Sequence, residues 1–170
     1  MISRRRLISA FRFAAQSAQP TGTLHPPSTW TMILSTGLTM LQAASPFFIV
    51  DDLEATLAFY QSKLGFEVRH KGGGDGVGPD FWAMVGRDKV MIMLKAITPE
   101  IHPQPNPSRH EWARWDAYIY TDDPDSLYQE FKGRNVPMHR ELANTEDGLR
   151  AFELADNNGY VLCFGRPADK

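Results

Sequence analysis

Apolar and polar positions follow each other along this chain in a pattern that occurs twice. Each copy begins with a short apolar run, reaches an Asp-Asp pair and continues with helical spacing to a glycine, at residues 46–65 and again at 117–133. Aligned on Asp51 and Asp122, the two copies are offset by 71 residues. An internal repeat constrains the architecture more than any single motif does. The pattern therefore predicts one domain built from two similar modules, with a shared surface where a ligand could bind.

The first copy predicts the element order β-α-β-β-β. A continuous apolar run at 47–50 indicates a buried strand. The carboxylate of Asp51 or Asp52 can then cap the free N–H groups of a helix. One face of that helix carries the apolar residues Leu53, Leu57, Tyr60 and Leu64. Three further strands are predicted at 66–70, 81–85 and 89–97.

The second copy repeats this order after a proline-rich linker. Residues 98–108 contain four prolines and are predicted to be extended, because each proline fixes φ and removes a donor. A helix is predicted at 124–132. Strands are predicted at 115–121, 137–142, 149–154 and 160–164. The predicted fold class is α+β.

The first forty residues differ from the rest of the chain. Residues 1–45 contain several arginines, such as Arg4 and Arg12, but no Asp or Glu. This composition fits an organelle transit peptide. It equally fits an unstructured extension translated from an upstream start codon, with Met32 or Met40 as the working start. We predict a disordered extension at 1–40 and leave it out of the fold prediction.

Charge and cysteine content narrow the function. The formal net charge is -2 and the pI is about 6.2, so nucleic acid is not an expected partner. The single cysteine, Cys163, excludes an intrachain disulfide and fits a reducing compartment. The chain contains no run of about 18 apolar residues, so no membrane-spanning helix is predicted. We expect a cytoplasmic protein, unless residues 1–40 direct it to an organelle.

Three segments resemble the vicinal oxygen chelate superfamily, which includes glyoxalase I, extradiol dioxygenases, fosfomycin-resistance enzymes and bleomycin-resistance proteins. They are SPFFIVDDLEATLAFYQSKLGFEV, the Asp-Asp helix start of the second copy, and GLRAFELADNNGYVLCFG. The resemblance covers about residues 41–167. It implies two tandem βαβββ modules, about 45–97 and 113–167, that form an open, cupped mixed β-barrel with flanking helices.

The resemblance also implies where a divalent metal would be bound. Enzymes of the superfamily take His, Glu or Gln ligands from the first and fourth strands of each module. The matching positions in this chain are Ser45, Met93, Asp116 and Cys163. Only Asp116 is a natural ligand for a hard divalent ion, and a thioether is not. We therefore expect no metal and no other cofactor.

Strand alternation predicts what lines the cup instead. The predicted ligand-binding residues are Phe47, Trp82, Met91, Met93, Trp112, Trp115, Asp116, Tyr118 and Tyr120. An apolar, aromatic and methionine-rich surface suits a flat or apolar small molecule. The alternative is that these side chains only fill the barrel core.

The leading hypothesis is a small-molecule-binding protein similar to the bleomycin-resistance branch, which sequesters its ligand without chemistry. The resemblance to that branch implies a homodimer with grooves at the subunit boundary. The second hypothesis is a metal-dependent lyase, isomerase or dioxygenase with substituted ligands. The third is a partner-binding module without a small-molecule role.

Overall fold

Two four-stranded sheets correspond to the two copies of the repeat. The computed structural model describes residues 41, 43–74 and 78–169, so the predictions for residues 1–40 lie outside the described residues. The first sheet has the strand order β1-β4-β3-β2 and the second has the order β5-β8-β7-β6. In each module the first and fourth strands along the chain pair in parallel, and the other neighbouring strands pair antiparallel. The predicted open α+β fold of two βαβββ modules is confirmed.

The element bounds agree with the sequence prediction to within a few residues. In the first module they are β1 (Phe47–Ile49), α1 (Leu53–Ser62), β2 (Glu67–Gly72), β3 (Trp82–Arg87) and β4 (Val90–Lys95). A short helix, α2 (Asn106–Arg109), lies in the linker. In the second module they are β5 (Ala117–Tyr120), α3 (Pro124–Gly133), β6 (Met138–Asn144), β7 (Leu149–Ala155) and β8 (Val161–Pro167).

The N-cap of both long helices is the second residue of an Asp-Asp pair. Asp52 accepts a hydrogen bond from the Ala55 N–H at 3.0 Å. Asp123 accepts one from the Ser126 N–H at 3.0 Å. Each carboxylate satisfies an N–H group that has no partner within its helix. One aspartate of each acidic pair, Asp52 or Asp123, therefore caps a helix, as the sequence indicated.

Alternation along the strands separates a helix-facing side from a helix-free side. In β4, Ile92 and Leu94 are fully buried, while Met91 and Met93 remain partly accessible. In β1, Phe48 is buried and Phe47 is 49% exposed. The side chains beneath the helices form one core cluster that includes residues of both modules. The predicted facing of these strands is thus observed.

The linker departs from the fully extended conformation predicted for it. Residues Asn106–Arg109 form one helical turn, and Pro107 lies in the first turn, where a missing N–H costs nothing. The Asn106 side chain donates to the Trp115 carbonyl at 3.0 Å. This tertiary contact stabilises a turn that is too short to form in isolation.

Contacts between the modules lie on the helix-facing side. The Tyr60 hydroxyl donates to Asp156 Oδ2 at 3.1 Å. Arg87 donates to both oxygens of Glu130, at 3.0 and 2.7 Å. Because these groups come from opposite modules, the two halves share one core.

Candidate ligand-binding site

A groove of about 580 Å³ runs between β1 and the linker. The first strand contributes apolar side chains and the linker contributes mainly polar ones. The lining residues include Phe47, Ile49, Ile101, His102, Gln104, Asn106, Arg109, Asp116 and Tyr160. The groove therefore brings two of the predicted ligand-binding residues, Phe47 and Asp116, to one cavity. Its size is within the range of small-molecule sites.

The Asp116 carboxylate is occupied by the backbone. One oxygen accepts the Asn106 N–H at 2.7 Å and the other accepts the Val161 N–H at 2.8 Å. These bonds connect the linker helix to the start of β8. A carboxylate on a strand needs such partners when it is withdrawn from water. Its first role is therefore to hold the linker over the groove.

The helix-free face of the second sheet carries a row of aromatic rings. The centroids of Trp115 and Tyr118 are 5.5 Å apart, and those of Tyr118 and Tyr120 are 4.8 Å apart. Tyr120 is 79% exposed. The Tyr118 hydroxyl is buried and has no hydrogen-bond partner among the described residues, and burial raises the pKa of Tyr118. The row is therefore an aromatic surface that also contains a hydroxyl group without a hydrogen-bond partner, that of Tyr118.

A buried carboxylate, Glu153, lies beside this row. Its side chain is 5% exposed. Oε1 accepts the indole N–H of Trp115 at 2.7 Å and an N–H of Arg114 at 3.2 Å. The Arg140 side chain and the His139 ring also lie within 4.0 Å of Oε2. The second sheet is thus more polar than the apolar lining predicted from the sequence.

The helix-free face of the first sheet is closer to that prediction. Trp82 lies against His70, with ring centroids 5.0 Å apart. Met84 and Met93 are direct cross-strand neighbours, and Met91 lies on the same strand face. All of these side chains except exposed His70 are half-buried, so they form a soft apolar surface at the protein boundary.

Trp112 is separate from these surfaces. Its side chain is 83% exposed and its ring contacts His110, with centroids 5.6 Å apart. Trp82, Trp115, Tyr118 and Tyr120 do not line the groove either, but each of them contacts another ring on the helix-free face of its sheet, whereas among the described residues Trp112 does not. Of the predicted aromatic residues, Trp112 is therefore the one that the structure leaves apart.

The four positions implied for a metal do not fit one. Both oxygens of Asp116 already accept backbone N–H groups. Burial raises the pKa of Cys163 to about 12, which keeps the thiol protonated. Ser45 and Met93 add a hydroxyl and a thioether, which are poor ligands for hard divalent ions. Within the described ranges, no group of three or more His, Cys, Asp or Glu side chains is placed to hold a metal.

Sequence reasoning did not identify several of the residues that shape the site. Glu153 was detectable, because it is the one acidic residue of β7 and has apolar neighbours on both sides, in register with Cys163 of β8. The linker residues Gln104 and Arg109 carried no such signal. They reach the groove only because of the path that the linker takes.

Among the described residues, no helix is long and apolar enough to cross a membrane.

Solved structures with the same fold include proteins that bind antibiotics. A bleomycin-binding protein in complex with bleomycin is 21% identical, with 76% of this chain and 100% of that chain covered and a TM-score of 0.57. The bleomycin resistance determinant encoded on transposon Tn5 is 20% identical, covers 75% and 98%, and has a TM-score of 0.58. TnmS3, an antibiotic-binding protein from Streptomyces sp. CB03234, is 22% identical, covers 76% and 100%, and has a TM-score of 0.54.

At these identities the structural likeness shows the fold alone. A search of curated proteins finds no match. The family model of the Glyoxalase/Bleomycin resistance protein/Dioxygenase superfamily matches residues 40–164, which is most of the chain. This protein therefore belongs to the Glyoxalase/Bleomycin resistance protein/Dioxygenase superfamily.

Proposed function

We propose that this protein binds a small aromatic or apolar molecule non-covalently and sequesters it without a resident metal. The observation that carries the proposal is the row of aromatic rings formed by Trp115, Tyr118 and Tyr120. The ring of Tyr120, at the end of the row, is 79% exposed. A large ring at the surface favours contact with another flat molecule, since stacking buries apolar area on both partners. The antibiotic-binding proteins of the same fold support the binding of a small molecule.

The chemistry of the side chains that could act in catalysis supports binding instead. The Asp116 carboxylate is engaged by two backbone N–H groups. The Cys163 thiol, with its pKa raised to about 12, is a poor nucleophile. His102 forms an exposed pair with Asp51 at 3.0 Å, at the rim of the groove. None of these groups is arranged as a nucleophile with its base.

We also propose that the working form is a homodimer, acting in the cytoplasm. Phe47 on β1 and Tyr120 on β5 are large exposed side chains, and both strands are edges of their sheets. Exposed rings on an unpaired edge favour association, because a second copy would cover them. Light scattering after gel filtration tests this state. A monomer at every concentration would contradict it.

Tryptophan fluorescence tests the binding function. The purified protein is titrated with bleomycin and with a panel of planar aromatic compounds. Saturable quenching is expected from at least one compound, and Trp115→Phe should remove most of it. Trp112→Phe is the matched control, since Trp112 lies apart from the row and should leave the titration curve in place.

Two results would contradict the proposal. The first is no saturable quenching by any compound, which would favour a partner-binding module. The second is stoichiometric divalent metal in the purified protein that disappears in Asp116→Ala, which would favour a metal-dependent enzyme. Elemental analysis of both proteins, purified without chelators, gives the second result directly.

A further inference from the structure

We propose that Glu153 is a specificity-determining anchor that recognises an N–H donor, in particular an ammonium or amino group, carried by the aromatic ligand. The inference rests on the proposed function and deepens it, since it names the ligand class as planar aromatic amines. Glu153 lies on β7, the third strand of its module, whereas the positions considered above for a metal lie on first and fourth strands.

The two oxygens of Glu153 are not equivalent. Oε1 accepts two hydrogen bonds, from the Trp115 indole at 2.7 Å and from Arg114 at 3.2 Å. Among the described residues, none donates a hydrogen bond to Oε2. The nearest nitrogen atoms of basic residues are Arg140 Nε at 3.6 Å and His139 Nε2 at 4.0 Å, both beyond hydrogen-bond distance. One carboxylate oxygen therefore keeps its acceptor capacity.

This oxygen lies at the accessible edge of a buried side chain. The Glu153 side chain is only 5% exposed, yet Oε2 is not one of the fully buried side-chain atoms that lack a hydrogen-bond partner. Arg140 and His139 are 60% and 48% exposed, so water competes with Oε2 for both side chains. A ligand N–H at Oε2 would complete the shell of the carboxylate.

The aromatic half of the ligand has a surface beside this oxygen. The Arg114 guanidinium lies 4.9 Å from the Trp115 ring centroid, and the Trp115 indole is fixed by its bond to Glu153. Tyr118 and Tyr120 continue the row away from that point. One molecule with a flat ring and an amino group can therefore contact the row and Oε2 together.

Charge selects the amine over an acid at this site. Arg114 is shared between Glu153 and Asp147, at 3.2 and 2.8 Å, although its buried Nε has no hydrogen-bond partner among the described residues. A ligand carboxylate near Oε2 would place a second negative charge against that of Glu153. Arg140, the cation nearest to Oε2, is 60% exposed and would offset only part of that repulsion, since exposed pairs contribute little.

Three acridines that share one ring system test the proposal by isothermal titration calorimetry near neutral pH. They are 9-aminoacridine, which is cationic, acridine, which is neutral and lacks the donor, and acridine-9-carboxylate. The expected order of affinity is amine, then acridine, then carboxylate. Glu153→Gln should weaken the amine roughly tenfold or more, as expected for a lost charged hydrogen bond, and leave acridine within about twofold.

Two further measurements keep the result interpretable. The glutamine retains an amide oxygen for the Trp115 indole, and urea unfolding of the variant verifies that the sheet is intact. If Glu153→Gln does not fold, Arg140→Gln gives the answer instead. Removing this exposed competing cation should raise the affinity for the amine and leave acridine unchanged.

The outcomes separate this inference from the proposed function. If none of the three acridines binds, nor any compound of the fluorescence panel, the proposed function fails. If the carboxylate binds as tightly as the amine, or if Glu153→Gln weakens the amine and acridine equally, the binding function stands and the anchor is refuted. Weaker carboxylate binding in Arg140→Gln with an unchanged amine would likewise refute it, in favour of an anion site.

Discussion

Asp116 holds the linker to the second module, and its replacement should have a measurable cost. Substitution by alanine removes the acceptor for two backbone N–H groups, those of Asn106 and Val161. A lost hydrogen bond to a charged group typically costs ~1.5–3 kcal/mol when it is buried. Because Asp116 is half-buried, water can replace part of each bond. We therefore expect Asp116→Ala to lower the free energy of unfolding by about 2 kcal/mol.

The size of this effect can be checked by urea and thermal unfolding. About 2 kcal/mol corresponds to a fall in Tm of roughly 8 °C for a domain of this size. Asp116→Asn keeps one acceptor oxygen, so about half of that loss is expected. The metal content of the protein should be the same in all three forms. An unchanged Tm in Asp116→Ala, together with loss of a bound metal, would refute this role. The carboxylate would then be a metal ligand, and it would not hold the linker to the second module.

Three other predictions follow from buried or paired groups. The hydrogen bond from Arg87 holds the pKa of Glu130 below its ordinary value of 4.5. The stabilisation by this pair is therefore present above pH 4.5 and is lost as the pH falls through the lowered pKa. Arg87→Gln should flatten the acid side of a pH–stability profile, and an unchanged profile would contradict this. Tyr60→Phe leaves Oδ2 of buried Asp156 without its donor and should cost ~1–3 kcal/mol in urea unfolding, whereas a variant as stable as the wild type would disprove the bond. Cys163, with its pKa raised to about 12, should react with iodoacetamide far more slowly in the native protein than in urea, and equal rates would show that the thiol is accessible.

Local pattern was enough to predict the elements of this fold. The continuous apolar run at 47–50 indicates a short buried strand, and the spacing of Leu53, Leu57 and Tyr60 specifies a helix through its period of 3.6. The Asp residues specify the helix starts, because a carboxylate satisfies nearby N–H groups that the chain itself positions. The linker helix could not be predicted in this way, because a turn of four residues depends on its bonds to Trp115 and Asp116.

The family resemblance and the repeat led to the arrangement of two open sheets, and alternation correctly assigned Met91 and Met93 to the helix-free side. The sequence by itself thus determined the modules and the facing of their strands, since both depend on neighbours along the chain. Only the tertiary structure decided which side chains meet at the site. Glu153 acquires its importance from Arg114 and Trp115, which lie 39 and 38 residues away along the chain. Contacts over such distances are set by how strands pair and how a linker turns, and no local period records them.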